Sequence, residues 1–234
     1  AHRIPRDRPV LLVANHPNGF VDPVVIAASL RRMPRFLAKA ALWKVVPARP
    51  LLALTGALPV HRRADGDRPE DNADVFAACH DALAAGHTVA IFPEGTTGDR
   101  ATLDRIRAGA ARIAMSAPAT LTDLTIIPVG LAFESRTATR PRAVLVVGEP
   151  VVHDDLDGSH PDAVAELRER IAAALTAVSP EFESVEQREV LRAAATVVAA
   201  DDHRYRPPPF AEIETIARRI AAAPPPARGA VDRT

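Results

Sequence analysis

The chain has 234 residues, 47% of them hydrophobic, with 29 basic and 29 acidic side chains and a formal net charge of zero. That length admits one sizeable α/β domain with a small addition, and the charge balance offers no single-signed field for nucleic acid, so a phosphate-bearing ligand must be held by a local site. A single cysteine, Cys79, excludes an internal disulfide and a cysteine-cluster metal site; it reads as a small buried residue in a reducing compartment.

Residues 9–14 are a continuous apolar run and read as a buried strand. A helix follows over 22–32, with Asp22 as its N-cap and Pro23 at the first helical position. A short strand at 35–38 precedes an apolar segment, 40–55, expected to be helical and broken by Pro47 and Pro50. Residues 57–61 read as a strand and 63–71 as a polar loop. The spacing of Val75, Phe76, Cys79 and Leu83 predicts a helix over 70–85, closed by Gly86. Another buried strand, 88–92, leads to a helix over 105–116, and strands follow at 124–133 and 143–148.

After Pro161 the composition shifts to Ala- and Arg-rich helices over 161–178, 184–200 and 210–222, without strands between them. The alternation predicts an α/β fold: a mostly parallel sheet flanked by helices on both faces, with a helical C-terminal appendage. The matching division is an α/β domain over 1–158, an appendage over 159–223 and a disordered tail over 224–234.

Ligands of parallel sheets bind beyond the carboxyl ends of the strands. Three such ends carry unusual groups: His16 after the first strand, Arg62 after the 57–61 strand, and Pro93-Glu94-Gly95-Thr96 after the 88–92 strand. An imidazole is suited to proton transfer near neutral pH, and a carboxylate such as Asp22 would fix its tautomer and stabilise the imidazolium. The simpler alternative is that Asp22 only caps a helix and His16 is an ordinary strand-end polar residue. Glu94 would orient a substrate hydroxyl or the loop itself. Arg62 offers a bidentate grip on phosphate, unless Arg62 and Arg63 are merely a solvated pair. His80, His87, His153, His160 and His203 lack metal-ligand spacing and read as structural or solvent-facing, so no metal is expected. No Gly-rich loop ends in Gly-Lys-Ser/Thr, which removes a P-loop reading.

Taken in order, "NHPNGFVDP", "GALPVHR", "FPEGT" and "IIPVG" resemble the four motif blocks of the PlsC-type glycerolipid acyltransferase family, over roughly residues 5–150. The resemblance implies a fatty acyl group moving from acyl-CoA or acyl carrier protein to a hydroxyl of glycerol 3-phosphate or 1-acylglycerol 3-phosphate. It implies His16 and Asp22 as the catalytic pair, and Asn15, Arg62, Glu94, Gly95, Thr96 and Arg107 as substrate-binding residues. No cofactor or metal is implied beyond the acyl thioester co-substrate. The alternatives are an acyltransferase for another lipid or glycolipid acceptor, or a non-catalytic acyl-lipid-binding module.

Two departures from the pattern stand out. Five residues separate His16 from Asp22 where the common pattern has four, although a branch resembling glycerol-3-phosphate acyltransferases has the longer loop. Thr97 stands where the third block usually continues with arginine, a gap that Arg100, Arg105 or Arg107 could fill. No run of 18 apolar residues and no leader is visible. The expectation is therefore a peripheral protein on the cytoplasmic face of a membrane, touching it through residues 40–55, which carry Trp43, Lys44 and Arg49. The alternative for that segment is an ordinary buried helix pair.

Overall fold

The structure, a computed structural model, describes residues 4–30, 33–60, 72–121, 123–135, 138, 141–200 and 206–224. Among them, β1 (Val10–Ala14), β2 (Arg35–Lys39), β3 (Leu58–Val60), β4 (Thr88–Ile91), β5 (Thr125–Phe133) and β6 (Ala143–Val147) form one six-stranded sheet in the order β3-β2-β4-β1-β5-β6. β1 pairs in parallel with β4 on one side and β5 on the other. β2 and β3 continue the parallel set, and β6 runs antiparallel at the edge. The fold is the α/β arrangement expected from the alternation of strands and helices.

All five residues of β1 are buried, because strands flank it on both sides and helices cover both faces. Pleating sends Leu11 and Val13 to one face, where they pack with α3 (Asn72–Ala84), α4 (Gly109–Met115) and α5 (Ala163–Val178). Val10, Leu12 and Ala14 point the other way and meet Ile26 and Leu30 of α1 (Val21–Leu30). Each fully buried aliphatic side chain of this kind contributes about 1.5–3 kcal/mol. Cys79 lies in the α3 layer, and burial pushes its thiol up to about 12.

Several expectations change. α1 begins at Val21, so Asp22 sits inside the first turn and is not the N-cap. Segment 40–55 folds as two short 3₁₀ turns, Ala40–Lys44 and Val46–Ala48, followed by α2 (Arg49–Leu54). Pro47 and Pro50 each lie in the opening turn of an element, where a missing N–H costs little, and neither breaks a helix. The helix expected from 105 begins only at Gly109. Backbone N–H groups before it are drawn elsewhere: Leu103 to Glu181, Asp104 to Glu94, and Arg107 to the Pro93 carbonyl.

α5 is no appendage. Leu167, Ile171 and Leu175 are fully buried in the same cluster as β1, and a side chain at Gly130 of β5 would collide with the Val178 carbonyl at the end of α5. A boundary at 158/159 therefore cuts through one core. α6 (Val185–Ala200) and α7 (Phe210–Ala222) pack on each other through Leu191, Ala195, Ile213 and Ala217. The expected loop over 63–71, His61, Arg62, Arg63, His203 and the tail from 225 lie outside the described residues.

Candidate active site

β1 delivers His16 just beyond its carboxyl end, between β4 and β5, at the position where parallel sheets place ligands. His16 Nδ1 lies 2.8 Å from Asp22 Oδ2. The same oxygen accepts the Asn18 N–H at 2.8 Å, closing the intervening loop onto the helix start. Asp22 is 0% exposed, while the His16 side chain keeps 19% of its surface open. A carboxylate only accepts, so Nδ1 carries the proton. Nε2 is left as the acceptor and has no hydrogen bond among the described residues. One face of the ring stacks on Phe92 with centroids 3.9 Å apart and planes at 13°, and Phe92 in turn stacks on Phe36 at 5.9 Å. The imidazole is thus fixed in tautomer, tilt and height, which general-base chemistry requires.

Glu94 is 8% exposed and uses both oxygens on backbone. Oε1 accepts the His16 N–H at 2.7 Å and Oε2 the Asp104 N–H at 3.1 Å. Burial pushes its carboxyl above the usual range, although the two N–H groups pull the other way. Both oxygens of Glu94 are thereby engaged by the backbone of the loop, and its side chain borders the cleft beside His16. The turn after it needs Gly95, at φ +71 and with Arg107 Nε where a Cβ would lie. Arg107 Nε donates to the Glu94 carbonyl at 3.0 Å, so this arginine supports the turn. Thr96 donates its hydroxyl to Asp104 Oδ2 at 3.0 Å. The Arg105 N–H and then the Thr96 hydroxyl hold the Asp104 carboxyl below the usual range.

Asn15 is also used internally: its Nδ2 donates to the Leu131 carbonyl at 2.9 Å, and its Oδ1 accepts the Leu131 N–H at 2.6 Å, clasping β1 to β5. Of the eight residues expected at the site, the structure brings His16 and Asp22 into contact and sets Glu94 against the backbone of His16. It gives Asn15, Gly95, Thr96 and Arg107 architectural partners. Arg62 lies outside the described residues. Among the three arginines offered in place of one at Thr97, Arg100 lines the cleft beside His16, with Gly98, Thr102 and, from α6, Arg188 and Arg192.

Phe92, Arg188 and Arg192 were not expected. The phenylalanine stood in the quoted "FPEGT" block, so its place beside the histidine was the available signal; nothing local marks the two arginines. Among the described residues no group of three His, Cys, Asp or Glu side chains is placed to hold a metal ion. His80, His87, His153 and His160 engage a carbonyl, an arginine or a backbone N–H.

A family model described as Acyltransferase matches residues 1–132. Glycerol-3-phosphate O-acyltransferase 2 of Saccharomyces cerevisiae is 33% identical over 150 residues, covering 61% of this chain and 20% of that protein. The 1-acyl-sn-glycerol-3-phosphate acyltransferase BAT2 of Brassica napus is 26% identical over 176 residues, covering 74% and 48%. The chain thus spans less than half the length of these curated relatives. The crystal structure of PlsC, the 1-acyl-sn-glycerophosphate acyltransferase of Thermotoga maritima, superposes with a TM-score of 0.52 at 18% identity, covering 73% of this chain and 66% of that one; the likeness is one of fold.

Proposed function

The chain belongs to the Acyltransferase family, and from that premise we propose that it moves a fatty acyl group from acyl-CoA or acyl carrier protein to a hydroxyl of glycerol 3-phosphate or 1-acylglycerol 3-phosphate in phospholipid synthesis. The observation that carries this reading is the His16–Asp22 pair, with Nε2 unbonded among the described residues at the end of the central strand. In the reaction, Nε2 takes the proton of the acceptor hydroxyl as its oxygen attacks the thioester carbonyl. Asp22 stabilises the imidazolium through Nδ1–H. The C–S bond breaks, the imidazolium returns the proton to the departing thiolate, and an ester and a free thiol result. No acyl-enzyme is needed.

Arg62 is proposed to hold the acceptor phosphate. A hydrogen bond to a charged group is worth about 1.5–3 kcal/mol, so Arg62→Ala should raise the acceptor KM roughly 10- to 150-fold. Thr97, standing where arginine is usual, keeps a second reading open: a different lipid or glycolipid acceptor for the same chemistry. A silent lipid-binding module has no need of a buried carboxylate on a stacked imidazole.

The test offers the protein acyl-CoA with glycerol 3-phosphate, then with 1-acylglycerol 3-phosphate, and follows thiol release and product mass. An acylated phosphoglycerol is expected. Thioester binding without any acylated product, across a panel that also includes glycolipid acceptors, would defeat the reading.

The acyl product must reach a bilayer, and a peripheral site on its cytoplasmic face fits this need. Among the described residues no helix is long and apolar enough to cross a membrane. Val45 and Val46 are exposed beside Lys44, Val46 to 71%, and Phe20, just before α1, and Val24 on it are exposed on either side of Asp22 in the chain. These apolar groups beside a cation suit the headgroup region of anionic lipid. Flotation with anionic vesicles should recover the protein, and Val46→Asp should reduce the recovery; equal recovery would move the contact elsewhere.

A further inference from the structure

Residues beyond 132 lie outside the family match, yet they grip the loop that holds Glu94. Arg188 of α6 sets Nη1 2.8 Å from Asp99 Oδ1 and 3.3 Å from the Arg100 carbonyl. The Phe182 N–H donates to the Ala101 carbonyl at 3.0 Å, and Glu181 Oε1 accepts the Leu103 N–H at 3.1 Å. Residues 99, 100, 101 and 103 are therefore each tied to the segment that joins α5 to α6 or to α6 itself. The next residue, Asp104, donates its N–H to Glu94, whose other oxygen takes the His16 N–H. The connection runs without a gap from α6 to the histidine backbone. Arg188 is central to it: its side chain is 8% exposed against 36% for Asp99, so the guanidinium is the fixed end and the loop the held one.

We propose that Arg188 is a positioning residue for acyl transfer, holding the 99–104 loop so that Glu94 sets the height of His16. The C-terminal helices are then the outer wall of the active site and not a separate appendage. The inference rests on the acyl-transfer reading for its kinetic arm. Geometry enters a rate steeply, since a misplacement of about 1 Å can cost roughly 100-fold. A partial loosening through three residues should cost less than that.

The experiment compares wild type, Arg188→Gln, Arg188→Lys, Asp99→Asn and the Arg188→Gln/Asp99→Asn double variant, each checked by thermal melting. Arg188→Gln should lower kcat roughly 10-fold, with donor and acceptor KM within about twofold. Asp99→Asn should do likewise, the double variant should lose little more than either single one, and Arg188→Lys should recover part of the rate. Hydrogen exchange at the His16 amide, read on its peptide, should quicken in Arg188→Gln while peptides of β5 stay protected. A folded Arg188→Gln variant with wild-type kcat, or with unchanged His16 protection, would overturn the proposal. Absence of turnover in wild type would instead strike the functional reading, and the exchange arm would still decide whether α6 holds the histidine. If Arg188→Gln does not fold, the same two readings are taken on Asp99→Asn.

Discussion

His16 and Asp22 meet at 2.8 Å across five intervening residues, and the carboxylate that receives the imidazole is wholly buried. Only Oδ2 of Asp22 is engaged; Oδ1 is buried with no partner among the described residues. Asp22→Asn can keep its amide oxygen at the Oδ2 position and so preserve both contacts. It removes the charge that stabilises the imidazolium and buries an NH₂ group without an acceptor. We expect kcat to fall about 10²–10⁴-fold, as for loss of general-base assistance, with a stability loss of about 1–3 kcal/mol. His16→Ala should nearly abolish transfer and, by leaving the buried Asp22 carboxylate without its imidazole donor, melt cooperatively at a lower temperature. Turnover within a few-fold of wild type in either variant would remove the pair from the chemistry.

The Phe92 ring, 3.9 Å from the imidazole centroid, predicts a smaller and different effect. Phe92→Leu keeps apolar volume but loses the flat surface that sets the ring's tilt. An aromatic pair adds about 0.5–1.5 kcal/mol beyond area burial, so kcat should fall roughly 2- to 10-fold while both KM values hold. A rise in acceptor KM with unchanged kcat would instead make Phe92 part of the binding surface.

The strands were legible because buried parallel strands must be apolar on both faces; "VLLVA" and "TVAI" announce themselves. His16 and Asp22 were legible by residue type and by place at a strand end. The clasp made by Asn15 was not, and for Glu94 the loop was one of two roles offered without its partners, since those partners are backbone groups of His16, Asp104 and Leu131, which leave no mark in the side-chain sequence. α5 was misjudged because an Ala- and Arg-rich helix resembles a surface addition, although Leu167, Ile171 and Leu175 give it a core-facing stripe. Arg188 reaches a partner 89 residues away, beyond any local pattern.

Glu94 and Asp104 should impose opposite pH slopes on stability. Burial raises the folded-state pKa of Glu94, so its contribution is complete below the ordinary carboxylate value of about 4.3 and is lost as pH rises through the raised value. Asp104 is lowered by the Arg105 N–H and the Thr96 hydroxyl, so its contribution is present above about 3.9 and is lost as pH falls through the lowered value. In urea unfolding across this range, the stability gap between wild type and Glu94→Gln should narrow as pH rises from about 4.3. The gap between wild type and Asp104→Asn should narrow as pH falls below about 3.9. Slopes of the same sign would show that the two carboxyls do not feel the surroundings described for them.

Arg192 and Glu214 form the ion pair between α6 and α7, at 2.8 Å with side chains 9% and 6% exposed. Arg192 also donates to the Phe133 carbonyl at 3.1 Å and lies over the Phe210 ring at 5.1 Å, so one guanidinium joins both helices to the end of β5. Arg192→Met leaves a carboxylate buried and alone, and Oε1 of Glu214 already lacks a partner among the described residues. Breaking a buried pair from one side costs about 3–5 kcal/mol, whereas replacing both partners with apolar groups is often close to neutral. Arg192→Met should therefore be strongly destabilised, and Arg192→Met/Glu214→Leu should recover much of the loss, short of the bond to Phe133. The recovered double variant then separates the two roles of α6: with Arg188 intact it should retain the wild-type protection of the His16 amide. Urea unfolding of the three proteins decides the energetic part, and a double variant no more stable than Arg192→Met would mean that the contacts to Phe133 and Phe210, rather than the ion pair, fasten the helices to the sheet.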